Sequence, residues 1–225
     1  MNYENVIELN IDERMDLSSE RELSAPRKSI LVHSCCGPCS TSVCERLAPD
    51  YDVTLFFYNP NITDREEYMR RLEAQRIFVA GYNMRPETDY PVTLAIGSYE
   101  PQAFYEAARG YEDEPEGGAR CIKCFKLRIG EAAAYASLHG FNVFTTTLSV
   151  SPHKDFTEIS KIGGTAAIRG GLTFLAEDFK KKDGYRRSVE MSKAYGLYRQ
   201  QYCGCEFSKG TALTAPQSRS DGQTK

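Results

Sequence analysis

The stretch "SILVHSCCGPCSTSVCERLA", Ser29 to Ala48, decides the fold. Its first six residues are a short apolar run, which reads as a buried strand. From Pro38 onward the pattern is helical: the proline stands near a helix start, with Val43 and Leu47 four residues apart. Between strand and helix lie three thiols, Cys35, Cys36 and Cys39.

The same alternation continues outward. "YDVTLFFYNPN" (51–61) reads as a second strand stopped by Asn-Pro. "TDREEYMRRLEAQRIFVAGY" (63–82) reads as a helix with a Thr/Asp start, acids in its first turn and Gly81 after its end. A less regular section runs to residue 100. Residues 101–115 suggest a short helix and loop, and 119–140 a long helix ending at Gly140. "FNVFTTTLSVSP" (141–152) reads as a third strand and loop. Residues 154–171 read as a helix broken or bent at its glycines. Residues 171–205 hold a short strand, a basic loop, a helix and a cysteine-rich end. The fold class expected is α/β, a parallel sheet flanked by helices, with right-handed connections. Sites in such sheets form beyond the carboxyl ends of strands, at a topological switch point. The triple-thiol turn follows the first strand and so stands where a site is expected.

The chain has 225 residues, 41% hydrophobic and 26% charged. That suits one globular domain, placed at residues 27–208. Residues 1–26 and 209–225 read as disordered tails, the first acidic and the second polar. No apolar run approaches the ~18–20 residues of a membrane span. The first residues lack the basic start and apolar stretch of a secretory signal, so a cytoplasmic protein is expected. The formal charge of −3 hides an asymmetry. Residues 1–26 carry seven acids against two bases, while residues 27–206 balance to neutrality. Any preference for a charged partner must come from local patches.

Eight cysteines are the strongest compositional signal. In a reducing compartment they serve metals or redox chemistry more often than disulfides. Cys121-x-x-Cys124 lies at the start of the long helix, where the helix N-terminus favours sulfur anions. Three-residue spacing puts both thiols on one helix face. In Cys203-Gly-Cys205, the glycine permits a turn that points both sulfurs at one centre. A tetrahedral zinc or a four-cysteine iron–sulfur cluster each takes four ligands, leaving three of these seven thiols. The count therefore suggests a cluster beside a second metal, or a cluster beside a redox pair. Cys44, a turn beyond Ser40, reads instead as a buried free cysteine packing as a small hydrophobe.

The segments "LVHSCCGPCS", "FFYNPNI", "RCIKCFKLRI", "FTTTLSVSPHKD", "DFKKKDGYRRSVEMSK" and "LYRQQYCGC" resemble the cobalamin-independent epoxyqueuosine reductases, the QueH family. The resemblance runs from about Ile30 to Ser208. It implies a fold like that of the adenine-nucleotide α-hydrolase (HUP-like) group. It also implies reduction of the epoxide of epoxyqueuosine to an alkene, the last step of queuosine biosynthesis. The substrate implied is the wobble nucleoside of tRNAs with GUN anticodons, those for Tyr, His, Asn and Asp. Two electrons and two protons enter, and water leaves. The cofactors implied are a [4Fe-4S] cluster and a second iron beside it. Carried over, Cys35, Cys36, Cys121 and Cys124 match the cluster ligands, and Cys203 and Cys205 match ligands of the second iron. Cys39 stands where some members have an aspartate ligand of that iron, which keeps an anionic donor but a softer one. An unidentified low-potential electron donor is implied as a partner.

Proton sources are sought near these motifs, among His33, His153, Asp155, Tyr185 and Tyr202. His33 could donate to sulfur, or cap the strand end through the backbone. His139, before Gly140, reads as structural. An RNA substrate needs a basic surface. Lys180, Lys181, Lys182, Tyr185, Arg186 and Arg187 provide phosphate contacts and a ring for stacking on an unpaired base. Arg70, Arg71 and Arg76 could extend the patch, although a solvated helix face is the plainer reading. Asn59, Asn61 and Thr145–Thr147 follow strands and either line a pocket or cap strand ends.

Two rival readings compete. An iron–sulfur tRNA sulfurtransferase-like enzyme would need a Gly-rich phosphate loop after the first strand, where this chain has cysteines and one glycine. A zinc-stabilised RNA-binding module explains four thiols and the basic loop but not seven thiols.

Overall fold

A computed structural model of the chain describes residues 27–86 and 89–212. The N-terminal tail expected at 1–26, and residues 213–225 of the C-terminal tail expected at 209–225, lie outside the described residues; residues 209–212 of that expected tail are instead the end of a helix.

Five strands form one sheet: β1 (Lys28–Ser34), β2 (Tyr51–Phe57), β3 (Thr93–Ile96), β4 (Val143–Thr146) and β5 (Thr173–Phe174). Their order is β3-β2-β1-β4-β5, and every pairing is parallel. The central strand β1 pairs with β2 from Lys28↔Tyr51 to Ser34↔Phe57, and with β4 from Leu31↔Phe144 to His33↔Thr146. Consecutive residues of a strand face opposite sides of the sheet, so a sheet covered on both faces needs an uninterrupted apolar run. "ILV" at 30–32 supplies it. Ile30 and Val32 join one core with Val43, Leu47, Leu55, Phe57, Leu72 and Phe78. Leu31 joins the other with Phe56, Phe125, Ile129, Ala132 and Phe144.

Helices α1 (Gly37–Leu47) and α2 (Arg65–Asn83) cover the first face, and α6 (Gly184–Ala194) packs on α1. Helices α4 (Ala119–Leu138) and α5 (Phe156–Gly170) cover the second, with α3 (Pro101–Ala108) against α4. A short α7 (Glu206–Ala212) follows the last cysteine pair. Among the described residues no helix is long and apolar enough to cross a membrane.

Three sequence expectations change. Helix α2 runs through Gly81 to Asn83 rather than ending before it. Helix α5 is continuous, and Gly163 serves packing and not a bend: a Cβ there would lie 2.4 Å from the Phe174 ring. The irregular section before residue 100 contains the edge strand β3.

The order in which strands are added reverses between β1 and β4. Chain leaving β1 goes to β2 and β3 on one side, and the later strands lie on the other. This is the switch point at which parallel α/β sheets open a crevice. The turn Cys35–Cys36 lies at its mouth on β1, and the segment after Thr146 on β4.

Candidate metal centre

The centre is assembled from the end of β1 outward. Strand β1 stops at Ser34, and the chain turns through Cys35 and Cys36 into α1. Cys36 is the N-cap residue, with its side chain making no cap hydrogen bond, and Pro38 occupies the first turn. Gly37 is required by crowding: a Cβ there would stand 2.5 Å from the carbonyl oxygen of Ala74 in α2. This approach brings Cys39 back over Cys35 and Cys36, so the three sulfurs lie within 4.8 Å of one another. Cys35 and Cys36 Sγ are 3.8 Å apart.

The trio is tied in from two sides. The hydroxyl of Thr147, after β4, accepts the backbone N–H of Cys35 at 3.2 Å and donates to its sulfur at 3.4 Å. Gln200 Nε2 donates to Cys36 Sγ at 3.0 Å. Hydrogen bonds from the Cys36 and Cys39 thiols, aided by Lys154 and Arg128, hold Cys35 well below the ordinary thiol range. Its thiolate in turn pushes Cys36 up to about 12 and Cys39 upward as well. Three sulfurs this close together form an electron-rich donor set of the kind that binds soft metals.

Cys121 lies in the first turn of α4 and Cys124 one turn later. Cys121 Sγ accepts the backbone N–H of Gly117 at 3.2 Å. Burial raises Cys121 and pushes Cys124 up to about 12. Cys124 and Cys205 pack in one small cluster with Phe104 and Ala108. The N-termini of α1 and α4 both meet sulfur here, and their dipoles favour anions.

The Cys203–Gly204–Cys205 turn is clamped onto α2. Arg71 donates to the carbonyls of Tyr202 and Cys203, each at 3.0 Å, and its Nε bonds buried Glu67 at 2.7 Å. Tyr198 donates its hydroxyl to the same carboxylate at 2.7 Å. Thr63 N–H reaches the Gly204 carbonyl at 3.3 Å. Gly204 takes φ +117°, a region that favours glycine. Burial raises the thiol of Cys205. Arg71 is therefore no part of an exposed phosphate patch. It is 2% exposed and fully engaged, unlike Arg70 on the next turn-face.

Two cations face the sulfurs. Arg128, on α4 one turn after Cys124, is buried, with NH2 on Asn59 Oδ1 at 2.6 Å and NH1 4.0 Å from Cys124 Sγ. Burial works against its charge, but the sulfurs of Cys124, Cys35 and Cys203 together outweigh burial. Lys154, half-buried just before α5, stands in the same balance against Cys203, Cys35 and Cys39. Arg128 feels cysteines of all three segments 35–39, 121–124 and 203–205, and Lys154 those of the first and third. Lys154 was not singled out from the sequence, although it sits inside the motif "SPHKD" quoted for the resemblance.

The other sequence candidates fall as follows. His33 is fully buried, with Nε2–H on the Tyr58 carbonyl at 3.1 Å and Nδ1 accepting from Thr146 Oγ1 at 2.8 Å. Burial first, then the Arg128 charge, lowers it to about 3, and both nitrogens point away from sulfur. Asp155 caps α5, accepting from Thr157 and Glu158 N–H. His153 is exposed. Tyr202 is half-buried with its ring beside the guanidinium of Arg71. His139 is the C-cap of α4 and stacks on Tyr135 at 4.0 Å. Asn59 Nδ2 donates to the Ser34 carbonyl at 2.9 Å, and Asn61 reaches the Cys203 carbonyl at 3.5 Å. Cys44 is buried in the first core, and burial raises its thiol.

In the basic segment, Lys180 packs beside the Lys154 carbonyl at 3.4 Å and pairs with Asp178. Lys181, Lys182 and Tyr185 are exposed. Arg187 pairs with Glu45 at 2.6 Å and Arg186 with Asp183 at 3.0 Å. A groove of about 860 Å³ lies between α4 and α5, lined by Ile122, Lys126, Ala133, Lys161 and Arg169 among others; no cysteine lines it.

A family model described as "Epoxyqueuosine reductase QueH" matches residues 30–211. A protein of that description from Streptococcus pyogenes serotype M1 is 41% identical over 187 residues, covering 83% of this chain and 72% of that relative. One from Staphylococcus epidermidis is 40% identical, covering 84% and 80%. One from Thermotoga maritima is 34% identical, covering 80% and 90%.

Proposed function

The chain belongs to the QueH epoxyqueuosine reductase family, oxidoreductases of queuosine biosynthesis, and we propose that its seven converging thiols hold the iron of an epoxide-deoxygenating centre. The substrate is epoxyqueuosine at the wobble position of tRNAs with GUN anticodons. Cys35, Cys36, Cys121 and Cys124 hold a [4Fe-4S] cluster, and Cys39, Cys203 and Cys205 hold a second iron. The observation that carries this reading is the trio within 4.8 Å, with Arg128 facing sulfur from all three segments.

The residues fit such a group. Seven sulfurs exceed what one zinc needs, two helix N-termini favour the negative charge, and two cations offset it. Iron held there supplies electrons one at a time and an electrophilic face for the epoxide oxygen. The reaction breaks both carbon–oxygen bonds of the epoxide, forms the alkene and releases the oxygen as water, consuming two electrons and two protons. A low-potential donor, not identified by the chain, delivers the electrons.

The chain's own residues bind, orient and protonate. The Nζ of Lys154 stands by Cys39 and Cys203 and meets the negative charge growing on the departing oxygen. His33 is not used for this, since one ring nitrogen ties β1 to Thr146 of β4 and the other to the Tyr58 carbonyl after β2. Lys180, beside the Lys154 carbonyl, and exposed Lys181 and Lys182 contact tRNA phosphates, and exposed Tyr185 offers a ring to an unstacked base. Arg186 and Arg187 contribute less than their charge suggests, because Asp183, Glu190 and Glu45 already engage them. The sheet order, with its switch point between β1 and β4, supports a HUP-like fold whose phosphate loop has given way to cysteines. The place of work is the cytoplasm.

Anaerobic purification with iron and sulfide counting, followed by turnover on epoxyqueuosine-containing tRNA, tests the reading. Cys203→Ala is expected to keep most of the brown colour and lose turnover, while Cys121→Ser bleaches it. A colourless zinc protein, or full activity in Cys203→Ala, would overturn it.

A further inference from the structure

We propose that Arg128 is a positioning residue that governs how tightly the sulfur pocket holds its iron and how readily that iron is reduced. The inference rests on the metal-centre reading above.

The starting observation is an imbalance of charge. Arg128 is 2% exposed and has no ion-pair partner among the described residues. Its Nε is buried without any hydrogen-bond partner, and NH2 is spent on the neutral carbonyl oxygen of Asn59. A buried cation left unpaired is strongly disfavoured. The anions that face it are sulfurs: Cys124 at 4.0 Å from NH1, with Cys35 and Cys203 also close enough to favour its charge. These come one from each cysteine segment, so a single guanidinium lies within electrostatic reach of all three.

Geometry adds a second link. Asn59 accepts from Arg128 through Oδ1 and donates through Nδ2 to the carbonyl of Ser34, the residue before Cys35. The relay runs from α4 to the end of β1 by way of the turn after β2. It fixes the α4 cysteines relative to the β1 turn, and so fixes the spacing between ligands drawn from two distant segments. Arginine suits this because its planar fork can hold Asn59 and face sulfur at once, where lysine offers one point charge.

The consequence is electrostatic. Iron–sulfur groups held by several thiolates carry net negative charge, and reduction adds more. A fixed cation in a water-poor pocket favours both binding and the reduced form. Lys154 acts in the same sense but is half-buried, where solvent weakens its field.

The test uses full-length protein reconstituted anaerobically with ferrous iron and sulfide. Iron retention is measured against a chelator, and the midpoint potential by redox titration followed in the visible spectrum. Arg128→Gln is expected to weaken retention about 10–100-fold and to shift the potential to more negative values. Arg128→Lys and Asn59→Ala keep the positive charge; both are expected to weaken retention and leave the potential near that of the parent protein. A merely structural arginine would alter melting temperature in all three variants alike and leave the potential untouched. An unshifted potential in Arg128→Gln overturns the inference. So does a negative shift in Arg128→Lys or Asn59→Ala, which decides the matter even if Arg128→Gln does not fold. Failure of the parent protein to take up iron and sulfide would overturn the metal-centre reading instead.

Discussion

At the scale of single residues, Arg71 shows how a charge can serve the site without touching its chemistry. Its guanidinium closes on Glu67 and on two carbonyls of the last cysteine turn, all in a buried setting. Arg71→Ala would leave buried Glu67 with the Tyr198 hydroxyl and a long 3.9 Å contact to Arg70, and would free the carbonyls of Tyr202 and Cys203. Breaking a buried pair by removing one partner costs about 3–5 kcal/mol. The expected result is a loss of that order in urea unfolding, with iron bound per chain falling because Cys203 and Cys205 are no longer held in place. An unchanged unfolding midpoint would show that the clamp does not hold. The Glu67–Arg71 pair was legible as helical i,i+4 spacing. Its carbonyl partners, more than 130 residues along the chain, were not. The same limit applies to Arg128 and Lys154: an arginine one turn after Cys124 has an evident address, but its lack of a carboxylate partner is visible only once the neighbours are in place. Cys44 was read correctly as a packing residue, because its position in the helical stripe with Val43 and Leu47 belongs to the core.

At the scale of elements, the β1–α1 unit carries most of the information. Its apolar run, its three thiols and its Gly-Pro turn could be read directly, and the sheet's switch point falls at its end. The glycine of that turn has a definite steric duty. Gly37→Ala would drive a methyl group to 2.5 Å from the Ala74 carbonyl, against backbone that cannot swing aside. The helices must then part, at a cost of about 1–3 kcal/mol. Because Cys39 rides on α1 while Cys35 does not, separation of the helices also widens the sulfur trio. Gly37→Ala is expected to lower the unfolding midpoint and reduce iron uptake together; normal iron uptake at reduced stability would dissociate the two effects and refute the coupling. Elements defined by tertiary contact were harder to read. Strand β3 has four residues at the sheet edge, too few for a periodic signal. Gly163 looked like a helix breaker, yet it is the point where α5 lies against Phe174.

At the scale of the whole molecule, the proposed metal ligands come from segments that are held in very different ways. Residues 35–39 and 121–124 belong to α1 and α4, which are packed on the sheet. Residues 199–209 have no strand pairing. They are held by Gln200 on Cys36, by the Arg71 clamp, by Asn61 and Thr63, by Phe207 beside Phe104, and by Lys209 on Asp64. Segments with few buried contacts open locally at far less than the global unfolding free energy. Iron shared between Cys39 and the 203–205 pair would close a loop from α1 to this last segment, and a ligand that binds only the closed form stabilises it in proportion to its occupancy. Limited trypsin digestion, read by mass spectrometry at the bond after Arg199, reports that opening directly. Cleavage there is expected to slow several-fold on anaerobic loading, while cleavage within the α1 and α4 cores stays slow in both states. The double variant Cys203→Ala/Cys205→Ala should be cut at the same rate loaded or empty, because its last segment has lost both of its bonds to the metal. Equal rates in loaded and empty parent protein would mean that the third cysteine segment contributes no ligand, and that the sheet-borne thiols alone hold the iron.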